Sequence, residues 1–345
     1  LKILILKRDK LGDLLLTTPL FAALRAHFPT ARIDLLASDY NAWVAQGNPS
    51  LNHILSYPRV RVGKRFTPGA VLTQARLFFA LRHERYDVVI VAQGEDSPRA
   101  IQRALWTGAR RVISYVDAAH RYDRRLTDPL PPPTTGHEAH RILGLLAPLG
   151  VSVPAHLDAP WFAPPQASLE GACSWLQEAG LTPGGYVVLG LGARRARKQP
   201  STLQIVRWVT WLKQERSLDT VFMWTPGDSG NPLYPGDDAI AQPVLEANPL
   251  GLFPFRGPLI PAIGLIWSAQ TSIFPDSGLM HFASASPGGV VGLFGDEPAF
   301  AQKWAPLGPR ARSLVAPTVS ALDDAVLFAA LGSLEDQRKR AASGT

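Results

Sequence analysis

FPDSGLMHFASASPGGVVGLFGD, residues Phe274 to Asp296, reads as the end of a buried strand, an Asp-Ser-Gly turn, a short helix, a Gly-rich turn and a second buried strand ending in Gly-Asp. Asp276 or Ser277 is placed to cap the helix that begins near Gly278. The N–H groups of Gly278, Leu279 and their neighbours have no intrahelical acceptor. With the positive end of the helix dipole they make a ready phosphate site. His281 lies within that turn; it faces the same anion or is a buried helix residue.

The same alternation extends upstream. Tyr186–Leu191 is a buried strand that runs into Gly192-Ala193-Arg194-Arg195-Ala196-Arg197-Lys198-Gln199-Pro200, and Ser201 opens the next helix. A strand, a glycine-led loop with four cations and a helix start together form a cradle for a diphosphate. Thr220–Trp224 is another strand, and Thr225-Pro226-Gly227-Asp228 at its end is placed to touch a base or ribose. A helix over 258–269 leads through strand Thr271–Phe274 into the opening stretch. A strand near 313–315 and a helix over 322–337 close the chain.

The first half repeats the pattern. Leu1–Leu6 is an apolar run of the kind buried in a parallel sheet. A charged loop, a helical stretch over 14–29 and the strand Arg32–Ala37 complete a βαβ unit. Gly12 and Asp13 stand just past the first strand's carboxyl end, where open α/β sheets place ligands. Asp13 there is a helix cap or a general base. After strand His53–Tyr57 comes a basic loop. Its Arg59, Arg61, Lys64 and Arg65 are either solvated or contact an anionic acceptor. A helix over 71–85 precedes strand Tyr86–Val91, then Gln93 and Gly94, a hydrogen-bonding amide and a residue that gives room for close approach. His137 and His140, in a helix over 137–149, lack zinc-protease spacing and are expected to be structural or interfacial.

Val151–Ala167 is Pro-rich and reads as a linker. The domains are drawn as 1–155, a linker 156–168, and 169–345. The 345 residues suit two domains, and 46% hydrophobic content supplies a large core. The single cysteine, Cys173, excludes an internal disulfide framework and is expected to be packing. Charged residues interrupt the apolar N-terminus at once, so no secretory leader is expected, and no run reaches the roughly 20 apolar residues of a membrane span. The net charge of +7 is all that supports nucleic-acid binding, which is not expected. The fold class is α/β, two doubly wound Rossmann-like domains facing each other.

The opening stretch resembles the C-terminal signature of glycosyltransferase family 9, the ADP-heptose:lipopolysaccharide heptosyltransferases, through Asp276, Ser277, Gly278, His281, Ala283, Ser284 and Ala285, then Val290, Leu293, Phe294 and Gly295. Gly12, Asp13, Thr17, Pro19 and Leu24 match the family's N-terminal pattern, and Tyr86, Asp87, Ile90, Gln93 and Gly94 match a second one. The loop after Gly192 matches at Ala193, Lys198 and Pro200. It departs at Arg194, which replaces a Ser or Thr, and it lacks a Trp and one residue before Pro200. The similarity spans Leu1 to about Leu307.

The resemblance implies a GT-B fold and an inverting transfer without metal or cofactor. The donor is a nucleotide-diphospho-sugar, ADP-heptose in the family, and the acceptor an anionic glycan or glycolipid of the lipopolysaccharide core. It makes Asp13 the general base. It places the donor diphosphate on Gly192, Arg194, Lys198, Asp276, Ser277, Gly278, Leu279 and His281. It places the acceptor on Gly12, Arg61, Lys64, Arg65, Gln93 and Gly94. A cytoplasmic location, peripheral on the inner membrane face, follows from the family's acceptors. The irregular lysine loop keeps open a catalytically silent relative, or a member with another donor or acceptor. No oligomeric state is implied.

Overall fold

The computed structural model describes all residues except 9, 63–64, 121–122, 193–194, 232–234, 296–297 and 344–345; the side chains of 61–62, 65–66 and 342–343 are also outside the description. The chain divides into two compact units, Leu1–Ala163 and Pro164–Thr345.

Unit 1 runs β1 (Lys2–Lys7), α1 (Leu11–Leu15), α2 (Thr18–His27), β2 (Arg32–Ser38), β3 (His53–Tyr57), β4 (Arg61–Val62), β5 (Arg65–Phe66), α3 (Pro68–Glu84), β6 (Val88–Val91), α4 (Pro98–Trp106), β7 (Arg111–Tyr115), β8 (Asp128–Leu130) and α5 (Glu138–Gly144). Its six-stranded sheet has the order β3-β2-β1-β6-β7-β8, with every pairing parallel. The antiparallel ribbon β4–β5 stands outside that sheet. Ile3 to Leu6 are all buried, as expected for a central parallel strand covered on both faces.

Unit 2 runs α6 (Gln166–Ala179), β9 (Tyr186–Gly190), α7 (Thr202–Arg216), β10 (Asp219–Met223), α8 (Asp238–Ala247), β11 (Leu252–Phe255), α9 (Leu259–Ser268), β12 (Thr271–Pro275), α10 (Gly278–Ala285), β13 (Val290–Gly295), α11 (Pro298–Trp304), β14 (Ala311–Ala316) and α12 (Asp324–Ser343). The order β11-β10-β9-β12-β13-β14 is again wholly parallel. Val187, Leu189, Ile273 and Leu293 meet α7 and α12 on one face through Trp208, Leu212 and Leu331. Tyr186, Val188, Phe274 and Phe294 meet α6, α9 and α10 on the other through Leu176, Leu265 and Met280. Alternate strand residues therefore feed two cores, and the sheet is doubly wound.

Apart from the ribbon, the strands of each sheet follow the Rossmann order. The order reverses between β1 and β6 in unit 1, and between β9 and β12 in unit 2. Neighbouring crossovers leave those points in opposite directions, which opens a crevice beyond the strands' carboxyl ends.

The structure differs from expectation in several places. The helix over 14–29 is two helices. Thr17 Oγ1 donates to the Asp13 carbonyl at 2.8 Å and Thr18 Oγ1 to Leu15 at 2.8 Å, and Pro19 has no N–H to carry the ladder through. The basic loop is partly the ribbon β4–β5. Cys173 is exposed on α6 rather than packed. His137 caps α5, accepting the Ala139 N–H on Nδ1 at 3.1 Å, in line with its structural reading.

Candidate active site

In unit 2 the predicted donor residues gather at the reversal between β9 and β12. β9 ends at Gly190. Gly192 turns the chain with φ +50°, a conformation that favours glycine. A side chain at Gly192 would meet Ser277 at about 3.8 Å, so the loop after β9 and the turn after β12 lie side by side. Ser277 is the first flanking residue of α10, but its hydroxyl makes no capping bond. Ser277 Oγ is buried and has no hydrogen-bond partner among the described residues. Asp276 does not cap the helix either, because its carboxylate is drawn to Lys198. The expected cap is therefore absent, and the first N–H groups of α10, at Gly278 and Leu279, have no side-chain acceptor among the described residues. A helix start in this state attracts anions.

Lys198 ends a short 3-10 turn, Ala196–Lys198. Its ammonium lies 2.7 Å from Asp276 Oδ2 and 3.8 Å from the centre of the Phe300 ring. Only 7% of Lys198 is exposed. The turn packs on β13 because residue 295 is glycine; a Cβ there would strike the Arg197 carbonyl. His281 follows on α10 and is 4% exposed. Arg194 lies outside the described residues.

Asp237 ties the loops of this rim together. It accepts the N–H of Gly192 at 3.2 Å, the N–H of Thr225 at 2.9 Å and Gln199 Nε2 at 2.5 Å. Burial raises its carboxyl above the ordinary value although each of these bonds pulls it down. Next to it, Asp238 accepts Trp224 Nε1 and the Gly227 N–H, each at 2.9 Å. The sequence alone assigns no part to Asp237, Gln199 or Phe300. Their link to Gly192 and Lys198 crosses up to 102 positions of sequence, from Lys198 to Phe300, and no local motif signals it.

In unit 1, Gly12 and Asp13 lie on α1, which follows β1, and Gln93 and Gly94 follow β6, across the reversal point. Lys7, 1% exposed, spans the two strands, with Nζ 2.8 Å from the Ala92 carbonyl. It is the last residue of β1, one position past the apolar run Leu1–Leu6. Asp13 is half-buried, and its Oδ2 accepts the Lys10 N–H at 3.0 Å, closing the first turn of α1. Gln93 is buried, and its side-chain Nε2 has no hydrogen-bond partner among the described residues. The space beside Gly94 is filled by the Glu138 carboxylate, which a Cβ would strike. Arg61 and Arg65 belong to the ribbon, which follows β3, two strands from the reversal. Their side chains, and the whole of Lys64, are outside the description.

Among the described residues no three His, Cys, Asp or Glu side chains form a metal-holding group, and no helix is long and apolar enough to cross a membrane.

Two sheets of Rossmann order, each with polar groups at its reversal point, agree with what comparison finds. Residues 74–325 match the family model described as glycosyltransferase family 9 (heptosyltransferase). The chain belongs to glycosyltransferase family 9. It is similar to a lipopolysaccharide heptosyltransferase 3 of Escherichia coli, 27% identical over 298 residues, 82% of this chain and 80% of that protein. A match to the same-named protein of strain K12, 29% identical, spans 41% of this chain and 40% of that one. A glycosyl transferase family 9 structure from Veillonella parvula DSM 2008 shares the fold, with TM-score 0.79 and 17% identity over 96% of each chain. So does the ADP-heptose lps heptosyltransferase II of E. coli, with TM-score 0.70 and 18% identity over 98% of this chain and 100% of that one. This family 9 chain is thus a glycosyltransferase of two Rossmann-like units.

Proposed function

We propose that the enzyme transfers heptose from ADP-heptose to an acceptor of the lipopolysaccharide core, with inversion and without a metal. The observation that carries the reading is the start of α10. Its first turn is uncapped, the Ser277 hydroxyl beside it is buried and without a partner among the described residues, and Lys198 sits next to it on Asp276. Such a turn suits the two phosphates of a nucleotide-diphospho-sugar, whose leaving charge needs fixed donors. The names of the relatives above support heptose as the sugar and ADP as its carrier.

In this reading unit 2 holds the donor. The N–H groups of Gly278 and Leu279, Ser277 Oγ and Lys198 bind the diphosphate, with Gly192, Arg194 and His281 around it, and Asp276 orients Lys198 or the sugar hydroxyls. Unit 1 holds the acceptor through Gly12, Gln93, Gly94, Arg61, Lys64 and Arg65. Asp13 takes the proton of the acceptor hydroxyl as its oxygen attacks the anomeric carbon, and the bond to the ADP oxygen breaks on the opposite face. The chain's cations carry the charge a metal would otherwise neutralise. The reaction takes place in the cytoplasm, at the inner membrane face where the lipid-linked acceptor is held.

Calorimetric titration of ADP, UDP and GDP in EDTA, into wild type, Lys198→Ala and His281→Ala, tests the donor site. ADP binding that is metal-independent and at least about tenfold weaker in both variants is expected. Preference for UDP or GDP would remove the ADP-heptose assignment. Binding of no nucleotide would end the donor-site reading and favour a silent relative, the reading to which the irregular loop before Pro200 points.

A further inference from the structure

Three arginines at the rim of unit 1 have no counter-ion among the described residues. Arg8 directly follows β1, Arg99 is in the first turn of α4, and Arg103 is one turn further on. Helical side chains lean toward the helix start, so Arg103 reaches back to the rim; its Nη1 donates to the Arg99 carbonyl at 3.1 Å. Its guanidinium lies 5.5 Å from the ring centre of Tyr57, a buried residue that ends β3. Arg103 Nε is closed off from solvent and meets no hydrogen-bond acceptor among the described residues.

Burial, then repulsion from Arg8 and Arg99, pulls the Arg103 pKa down, and among the described residues only Tyr57 acts in the other direction. No carboxylate among the described residues contributes. Three described acids that follow neighbouring strands are engaged elsewhere. Asp39 lies 3.2 Å from Arg59, Asp96 lies 2.6 Å from His120, and Asp13 holds the Lys10 N–H. α4 also begins without a side-chain cap, so its first N–H groups add to the positive field. Partly buried like charges without a partner destabilise the protein by themselves, and an arriving anion reverses the sign.

We infer that Arg8, Arg99 and Arg103, with Arg103 over the Tyr57 ring, form a subsite for an anionic group of the acceptor, a phosphate or a carboxylate. This rests on the reading of unit 1 as the acceptor unit. The subsite lies next to the reversal between β1 and β6, where the attacking hydroxyl is placed, and uses none of the ribbon cations. It selects acceptors whose charge stands close to the reacting hydroxyl. A guanidinium fixed on a ring presents its N–H fork in one plane, which suits both anions.

The test uses the full chain at low ionic strength with ADP in excess, so that the donor site is filled. Glucose 6-phosphate, glucuronate and glucose, at matched ionic strength, are titrated by calorimetry and by thermal shift. Wild type is expected to bind one or both anions saturably and glucose not at all; the preferred anion names the group on the acceptor. Arg99→Gln, at an exposed position, and Arg103→Gln are each expected to weaken that binding about tenfold or more. Lys198→Ala is expected to leave it unchanged. Without ligand, Arg103→Gln should melt no lower than wild type, because it removes repulsion; a purely structural arginine would lower the melting temperature. The proposal is overturned if neither anion binds saturably, or if Arg8→Gln and Arg99→Gln bind like wild type. ADP is titrated first in the same samples. Its failure to bind would count against the donor reading and leave the anion result separately legible.

Discussion

Asp13 shows how one carboxylate serves local structure while remaining available for chemistry. One oxygen accepts the Lys10 N–H, and both readings of the sequence, cap and base, meet in the same side chain. The two substitutions Asp13→Asn and Asp13→Ala separate them. Asn keeps an acceptor for the N–H, so stability should stay within about 0.5 kcal/mol, whereas Ala should cost about 1 kcal/mol. If Asp13 is the base, both variants lose turnover by roughly 10²–10⁴-fold with ADP affinity unchanged. A chemical denaturation series beside a steady-state assay reads both; full activity in the Asn variant would remove Asp13 from the reaction. Such a residue stands out in the sequence because its neighbours carry a pattern. The neighbour of Gly94 was not: the Glu138 carboxylate comes from a helix 44 positions later, and only packing brings it there.

The elements that position the site divide in the same way. β12, α10 and β13 could be read directly, because buried strands flank a short helix with an Asp-Ser-Gly start. α4, α8 and α11 went unread. α4 buries only Ala100, Ile101, Ala104 and Leu105, a thin stripe; α8 carries Pro243 inside it; α11 has seven residues. Yet α11 begins just before Phe300, on which Lys198 rests. At this scale Gly295→Ala should drive the Arg197 carbonyl off β13 and move Lys198 with it. A loss of about 1–3 kcal/mol in stability and about tenfold in ADP affinity is expected; an unchanged ADP affinity would detach that turn from the donor site. Asp237, which joins three loops, gives a pH signature. Its folded pKa is raised, so above pH ~4 the folded chain keeps a proton the unfolded chain has lost. Its contribution to stability is therefore full below the ordinary carboxylate range and falls as pH rises through the raised value. Urea titrations from acid to neutral pH should show wild type losing stability relative to Asp237→Asn across that window. Parallel curves would mean that Asp237 titrates normally.

For the molecule as a whole, two sheets of the same strand order each offer a crevice at the point of reversal, and the proposed function assigns different ligands to the two units. Saturating ADP should slow amide exchange at 278–285 and 195–199 and leave β1 and β6 unchanged, as hydrogen-exchange mass spectrometry would show; protection confined to unit 1 would reverse the assignment of donor and acceptor. The residues alone were enough for the alternation of strands and helices and the family motifs, since those follow from local periodicity and from turn and phosphate chemistry that acts within a few residues. They were not enough for the order of strands in either sheet, the Lys198–Asp276 pair on Phe300, the Asp237 tie between loops or the uncompensated arginines of unit 1. Each of these joins groups far apart in sequence, and their energies depend on burial and on neighbours that only the folded chain supplies.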